Sequence, residues 1–96
     1  MRIYKFYVYI LTNKSGTLYI GVSKDAEFRR IQHKEKVDNN SFTARYNINK
    51  LIYYEVYQYI EHGILREKQL KGWNRKKKVA LIRKVNPRFE EIEVMD

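Results

Sequence analysis

Two short runs rich in aromatic and β-branched residues lie close together near the start of the chain. They cover residues 5–11 and 17–22, and the letters NKSG at residues 13–16 lie between them. Asparagine, serine and glycine favour tight turns, and the flanking composition is typical of strands. The pattern therefore predicts a β-hairpin, which commits this part of the chain to a sheet.

The two faces of this predicted hairpin differ in character. Alternation places an apolar set on one face, and we expect that face to pack against the core: Phe6, Val8, Ile10, Leu18, Ile20 and Val22. Tyr9 and Tyr19 fall on the other face, and a turn centred near Lys14 would place them opposite each other. Aromatic residues are common in strands, so these two tyrosines could serve either in packing or in catalysis.

A helix is predicted directly after the hairpin. Ser23 and Asp25 are N-cap candidates, and the helical pattern continues to about Lys36. Phe28 and Ile31 lie three residues apart, so we expect both to face the core.

One strand and a long helical region are predicted in the second half. Residues 37–49 form a polar connection, and residues 51–59 read as a third strand. Alternate residues of that strand are expected to share one face: Ile52, Tyr54 and Val56. Residues 63–85 have a helical pattern that Gly72 divides in two, and Asn-Pro at residues 86–87 ends it.

The order of these elements is β-β-α-β-α(-α). It predicts an α+β fold in which a small, three-stranded, largely antiparallel sheet is flanked by helices. The length suits a single domain over residues 1–96, with an acidic tail at about residues 90–96.

Composition excludes several classes of protein. The chain has no cysteine, which excludes disulfides, thiolate zinc sites and a cysteine nucleophile. The longest apolar run, residues 6–11, is too short to span a bilayer, and no signal-peptide pattern precedes it. We therefore expect a soluble cytoplasmic protein with no membrane partner.

Positive charge is abundant and unevenly placed. The formal net charge is +9, and residues 66–88 contain ten lysines and arginines against one acid, Glu67. A field of this sign favours a polyanion as partner, although a basic run is also typical of a solvated helix face. We expect phosphate contacts without sequence specificity from five of these residues: Lys71, Arg75, Lys76, Lys77 and Lys78.

Several motifs stand at fixed distances from one another. Residues 19–21 read Tyr-Ile-Gly, Arg29 follows Tyr19 by ten residues, and Glu67 lies in the segment REKQLKGW. Together they resemble the GIY-YIG nuclease domain, with Tyr-Val-Tyr at residues 7–9 in place of GIY. The resemblance covers nearly the whole chain and is strongest to small, stand-alone bacterial members of that superfamily.

The resemblance implies an activity and a set of site residues. The activity is metal-dependent endonucleolytic hydrolysis of DNA phosphodiester bonds, with Glu67 holding Mg²⁺ or Mn²⁺. It further implies a branched or single-stranded DNA substrate, a role in repair or recombination, and a protein partner that supplies targeting. The catalytic set it implies is Tyr9, Tyr19, Arg29 and Glu67, with His33 and Asn86 as accessory residues.

The chemistry of these side chains suits that reaction. A tyrosine has an ordinary pKa of about 10, so it is a poor base unless a nearby cation favours the phenolate. Arg29 can supply such a charge and can also stabilise charge that develops on the phosphate oxygens. One carboxylate, such as that of Glu67, is enough for a Mg²⁺ ion that keeps most of its water shell. Which tyrosine acts as the base is left open.

Other interpretations compete with this one. Glu67 is also spaced to form a helical ion pair with Lys71, four residues on. The chain as a whole fits a nucleic-acid-binding module without turnover. A third, weaker interpretation is a domain that binds an acidic protein surface.

Overall fold

A computed structural model of the protein describes residues 5–32 and 45–93. Within these ranges the chain forms β1 (Phe6–Thr12), β2 (Leu18–Lys24), α1 (Asp25–Gln32), β3 (Lys50–Tyr57), α2 (Ile60–Gly72) and α3 (Arg75–Val85). This is the predicted α+β order, including the division of the last helical region at Gly72. The predicted end of the first helix, near Lys36, lies outside the described residues.

The hairpin is present, with a register that differs from the prediction. β1 and β2 pair antiparallel, and the last pair before the connection is Thr12 with Leu18. The amide of Gly16 donates to the carbonyl of Asn13 at 3.1 Å, and Gly16 has a φ of 81°, in the left-handed region that favours glycine. The loop is therefore centred one residue after Lys14. The partner of each β1 residue moves by two positions, so every side chain keeps its predicted face.

The third strand pairs on the other side of β1, which gives the antiparallel order β2-β1-β3. Ile10 pairs with Tyr53 but Leu11 pairs with Leu51, so Ile52 is an extra residue in a β-bulge. The predicted common face of β3 is therefore wrong. Ile52 is buried with Tyr53 on one side of the sheet, whereas Tyr54 packs on the other.

Both faces of the sheet are buried, which produces two hydrophobic cores. The first core is shared by the strands with α2 and α3 and contains Val8, Ile10, Ile20, Ile52, Tyr53, Leu70 and Ile82. The second core lies under α1 and contains Tyr7, Tyr9, Leu11, Phe28, Ile48 and Leu51. The sheet is thus a central layer with one helix on one face and two helices on the other.

The second core corrects the expectation that the tyrosine face of the hairpin is free. Tyr7 and Tyr9 are only 7% and 6% exposed. Phe28 covers them, and its ring stacks on that of Tyr7 with centroids 4.1 Å apart. Full burial of a phenylalanine side chain contributes about 1.5–3 kcal/mol to stability, which favours docking of this short helix on the sheet. As predicted, Phe28 is buried, and Ile31 packs against the same core.

The two later helices cover the opposite face of the sheet. Gly63 lets α2 approach the hairpin closely, since a Cβ there would lie 3.2 Å from Cγ2 of Val22. Between the helices, Trp73 caps α2, and Asn74 begins α3 by accepting a hydrogen bond from the Lys77 amide at 2.8 Å. None of the helices described in residues 5–32 and 45–93 is long and apolar enough to cross a membrane.

Candidate active site

The two motif tyrosines lie next to each other on the sheet, diagonally rather than directly opposite. Tyr9 pairs with Gly21, and Tyr19 pairs with Leu11. The ring centroids of Tyr9 and Tyr19 are 6.4 Å apart with a 37° angle between the planes. The two-position shift in register changes the expected cross-strand pair into this diagonal contact, which long aromatic side chains can still make.

Gly21 makes room for the Tyr9 side chain. A Cβ at Gly21 would collide with the hydroxyl and ring of Tyr9, so the ring lies directly over the glycine. Because β2 is an edge strand, the Tyr9 ring extends from the central strand toward the edge of the sheet. The glycine of the Tyr-Ile-Gly triplet is therefore required sterically, because any side chain at position 21 would overlap the Tyr9 ring.

The surroundings of Tyr9 keep its hydroxyl protonated. Burial raises the pKa of Tyr9, and the neighbouring Tyr19 and the carboxylates of Glu27 and Glu67 raise it further. At neutral pH the Tyr9 hydroxyl is therefore a hydrogen-bond donor in the protein without an added cation. Tyr19 is half-buried and so is the more accessible of the two phenols.

Arg29 lies on the exposed side of α1, where Asp25 holds it. Its Nε is 3.5 Å from Oδ2 of Asp25, and its side chain is 52% exposed. Burial and, after it, interaction of the hydroxyl with the same aspartate raise the pKa of Tyr7, while the charge of Arg29 acts in the opposite direction. The motif tyrosine at position 7 is thus linked to Arg29 through Asp25.

Glu67 lies on α2, on the other side of the sheet from α1. Its Oε1 accepts a hydrogen bond from Nζ of Lys71 at 3.1 Å, so the ion pair that the spacing allowed is present. The Glu67 side chain is only 17% exposed, and its charge still influences Tyr9. The carboxylate on α2 therefore acts electrostatically on a phenol that packs on the opposite side of the sheet.

The donors at this edge fit a loosely held cation better than a protein-built cage. The described parts of the chain contain no group of three or more His, Cys, Asp or Glu side chains arranged to hold a metal ion. Glu67 contributes one carboxylate, and its second oxygen, Oε2, is not the one that Lys71 contacts. A hard divalent cation that retains most of its water ligands is compatible with such a donor set.

The two predicted accessory residues have different outcomes. His33 lies outside the described residues. Asn86 is 8% exposed, and its side chain is used by backbone groups. Its Nδ2 donates to the carbonyls of Ile52 and Glu90 at 2.9 and 2.8 Å, and its Oδ1 accepts from the Glu90 amide at 3.0 Å. These bonds tie the end of α3 to the sheet.

The predicted phosphate-binding residues lie on two helices. Lys71 is exposed in the last turn of α2, and Arg75, Lys76, Lys77 and Lys78 occupy the first turn of α3, which contains no acid. Nζ of Lys77 lies 4.2 Å from the centre of the Trp73 ring. Nη2 of Arg75 reaches the hairpin, 3.1 Å from where a Cβ of Gly16 would lie. The basic run thus extends to the hairpin turn.

Sequence reasoning did not identify Asp25 and Glu27 as neighbours of the site. The spacing of Asp25 and Arg29, four residues apart on a helix, was a readable signal for the first of these contacts. No comparable signal exists for Glu27, because its proximity to Tyr9 depends on how α1 docks on the sheet.

The chain is similar in sequence to several known proteins. The family model described as the GIY-YIG catalytic domain matches residues 5–80. A UPF0213 protein of Staphylococcus saprophyticus is 37% identical over 82 residues, which cover 81% of this chain and 94% of that protein. A UPF0213 protein of Staphylococcus epidermidis is 33% identical over the same coverage.

A solved structure shares the fold. The solution NMR structure of a UPF0213 protein from Bacillus halodurans superimposes with a TM-score of 0.59 at 23% identity. The match covers 91% of this chain and 92% of that one. With the family match, the position of Tyr9 over Gly21 and the three-layer architecture, the chain belongs to the GIY-YIG domain family.

Proposed function

We propose that this chain is an endonuclease domain that hydrolyses DNA phosphodiester bonds with the help of Mg²⁺ or Mn²⁺. The observation that carries the proposal is the contact between the rings of Tyr9 and Tyr19, together with the influence of the Glu67 charge on Tyr9. The family match supports a nuclease-type domain. We also propose that residues 1–96 form a single domain.

Each side chain has a role that its surroundings suit. Tyr9, buried and protonated, donates a hydrogen bond that orients the attacking water or a phosphate oxygen. Tyr19, which is more accessible, would act as the base: its hydroxyl first loses a proton to solvent, and the phenolate then accepts the proton of that water. Arg29 is exposed and stabilises negative charge on the phosphate oxygens. A divalent cation held by Glu67 would lower the charge on the leaving oxygen.

The basic run supports a polyanionic substrate. Cations in the first turn of a helix face the positive end of its dipole, which costs about 0.3–1 kcal/mol each. Four such residues, Arg75 to Lys78, lie in the first turn of α3 without an acid beside them. A bound phosphate backbone offsets that cost, so the arrangement favours a polyanionic partner.

Cleavage of supercoiled, branched and single-stranded DNA with Mg²⁺ or Mn²⁺ tests the proposal. We expect Glu67→Gln and Arg29→Ala each to lower the rate at least about 100-fold, since preorganised charge is a large part of such catalysis. Glu61→Gln is the matched control, because Glu61 lies on the same helix and is exposed. Cleavage that survives Glu67→Gln would show that the site is assigned wrongly.

One observation favours a second candidate function, a nucleic-acid-binding module without turnover. Lys71 already holds one oxygen of Glu67 and competes with a metal for that carboxylate. In that case DNA binding would fall with rising salt, and neither Mg²⁺ nor Mn²⁺ would produce cleavage. Lys71→Ala, assayed at saturating DNA so that a lost phosphate contact does not limit the rate, separates the two candidates. It raises metal-dependent cleavage of an enzyme limited by metal binding and leaves a binding module inactive.

A further inference from the structure

The helix that carries Glu67 has a narrow apolar contact with the sheet. Of the thirteen residues of α2, two are buried, Gly63 and Leu70, and one of these has no side chain. Gly63 brings the helix against Val22 and Val8 of the hairpin, and Leu70 lies in the first core. Apolar packing is not directional, so a contact of this width holds the helix on the sheet but leaves its rotation about its own axis weakly defined.

Directional bonds on one flank of α2 supply the missing constraint. Arg66 binds both carboxylate oxygens of Glu55 on β3, through Nε and Nη2. Its third nitrogen, Nη1, donates to Oε1 of Gln69 at 2.7 Å, and the guanidinium lies over the ring of Trp73. A planar guanidinium that is bound at its edges and on one face has little freedom to reorient, so the part of the helix that carries it is held as well.

The carboxylate that Arg66 meets is itself fixed by the sheet. The hydroxyls of Tyr53 and Tyr57, both on β3, donate to the two oxygens of Glu55. The Glu55 side chain is 17% exposed and that of Arg66 is 22% exposed, so water competes little for these hydrogen bonds. Glu55 is therefore a preorganised acceptor on the sheet, at which the helix docks in one orientation.

The rotation of α2 determines where the Glu67 carboxylate lies. Glu67 follows Arg66 directly, so the two side chains leave the helix about 100° apart. Side chains on a helix extend about 5–6 Å from its axis, so a rotation of about 10° would move the Glu67 carboxylate by about 1 Å. A displacement of about 1 Å at a catalytic group can lower a rate about 100-fold.

We propose that Glu55 and Arg66 are positioning residues, whose ion pair fixes the rotation of α2 and thereby the place at which Glu67 would hold a divalent cation. This inference rests on the proposed function in taking Glu67 as the cation ligand. It extends the site to a pair on the β3 flank of α2, which acts through the helix rather than on the substrate.

Arg66→Lys tests the inference because it keeps every charge in the protein. Lysine has no planar fork to match the two oxygens of Glu55, whereas the charge near Glu67 stays the same. Mn²⁺ affinity, measured without DNA by electron paramagnetic resonance of the free ion, should fall about 10-fold, as for residues that orient a metal ligand. The kcat for cleavage should fall by a similar factor, while the KM for DNA changes less than about twofold, since most of the proposed phosphate contacts lie on α3.

Three further variants control for charge, stability and folding. Lys68→Arg makes the reverse exchange at an exposed position of α2 and should leave the Mn²⁺ affinity unchanged. Ile82→Val weakens the first core from α3 and should lower the unfolding temperature without changing that affinity. Tyr57→Phe removes one hydrogen bond to Glu55, so it should weaken Mn²⁺ binding by less than Arg66→Lys, and it decides the question if Arg66→Lys does not fold.

Several outcomes would overturn the inference. They are an unchanged Mn²⁺ affinity in folded Arg66→Lys, an equal loss in Ile82→Val, and Mn²⁺ binding that is absent from the unaltered chain or survives Glu67→Gln. An unchanged affinity in Arg66→Lys beside metal-dependent cleavage by the unaltered chain would overturn this inference alone. Weaker Mn²⁺ binding by Arg66→Lys, in a chain that never cleaves DNA, would contradict the nuclease proposal and leave the positioning role standing.

Discussion

The guanidinium of Arg66 forms two hydrogen bonds with the carboxylate of Glu55, Nε to Oε1 at 2.9 Å and Nη2 to Oε2 at 3.0 Å. The hydroxyls of Tyr53 and Tyr57 donate to the same carboxylate. Arg66 also lies over the ring of Trp73, 5.2 Å from its centre. This network joins β3 to α2 and so fixes the rotation of the helix that carries Glu67.

Removing the charge of Glu55 should weaken this junction. In Glu55→Gln, an amide that carries donors of its own would face the donors of Arg66, and we expect a loss of about 1–3 kcal/mol in the free energy of unfolding. Urea denaturation measures it. Glu61→Gln, on the exposed surface, should change that free energy by less than about 0.5 kcal/mol. Equal effects of the two variants would show that the network contributes little.

The same network predicts a dependence of stability on acid. Burial raises the pKa of Glu55, but hydrogen bonds from Arg66, Tyr53 and Tyr57 outweigh it and hold the pKa below the ordinary value of 4.5. A carboxyl group with a lowered pKa stabilises the fold above its unfolded pKa, and this is lost as pH falls through the folded pKa. The unaltered chain should therefore exceed Glu55→Gln in unfolding free energy at pH 7, and this difference should become smaller at pH 3. A gap that stays constant over that range would contradict the assignment.

Gly21→Ala should disturb the tyrosine pair. The added methyl group meets the Tyr9 hydroxyl and ring, and we expect a loss of about 1–3 kcal/mol from this overpacking. Gly72→Ala is the matched control, because no atom lies within 4 Å of a Cβ at that position. There, alanine in a helix should stabilise by up to about 1 kcal/mol. Thermal unfolding curves that shift in the same direction for both variants would contradict the prediction.

Tyr7→Phe tests the link between the first motif tyrosine and Arg29. The variant keeps the stacked contact with Phe28 and removes only the hydroxyl, which interacts with Asp25. A lost hydrogen bond of about 1 kcal/mol corresponds to roughly a fivefold lower cleavage rate. Tyr59→Phe, at a tyrosine that is 56% exposed, is the control. Unchanged cleavage by Tyr7→Phe would show that Asp25 holds Arg29 without help.

Asn86→Ala tests whether that side chain is structural. The variant removes three hydrogen bonds and leaves the carbonyl of Ile52 without its side-chain donor, so we expect about 2–3 kcal/mol of destabilisation. Faster proteolysis after residue 86 should accompany it. A variant that is as stable as the unaltered chain but cleaves DNA more slowly would instead support the accessory role.

Local patterns predicted much of the fold. Alternation identified the strands, and Gly72 marked the break between the last two helices because glycine weakens a helix. The bulge at Ile52 escaped prediction, since an extra residue in one strand depends on its pairing with a partner. The shifted hairpin register also escaped prediction. It goes with a loop hydrogen bond from the Gly16 amide to the Asn13 carbonyl, and the sequence does not distinguish this turn from other turns of similar length.

The sequence predicted the family but not the environment of the candidate residues. The spacing of Tyr19, Arg29 and Glu67 resembles that of a known family, and the family model matches the segment that contains all three. The burial of Tyr9 could not be read, because it results from docking α1 through a single phenylalanine, Phe28. The same is true of the influence of the Glu67 charge on Tyr9, because the two residues lie on opposite sides of the sheet.

Because Tyr9 packs in the second core, its presence indicates membership of the family but does not by itself indicate catalysis. Its ring fills space between Phe28 and Gly21, so a change at either motif position carries a cost in folding whether or not the protein turns over a substrate. A descendant that lost catalysis would still be selected to keep this tyrosine and this glycine. In such a descendant, substitutions would be expected first at exposed residues of the proposed site, such as Arg29, and last at the hairpin motif.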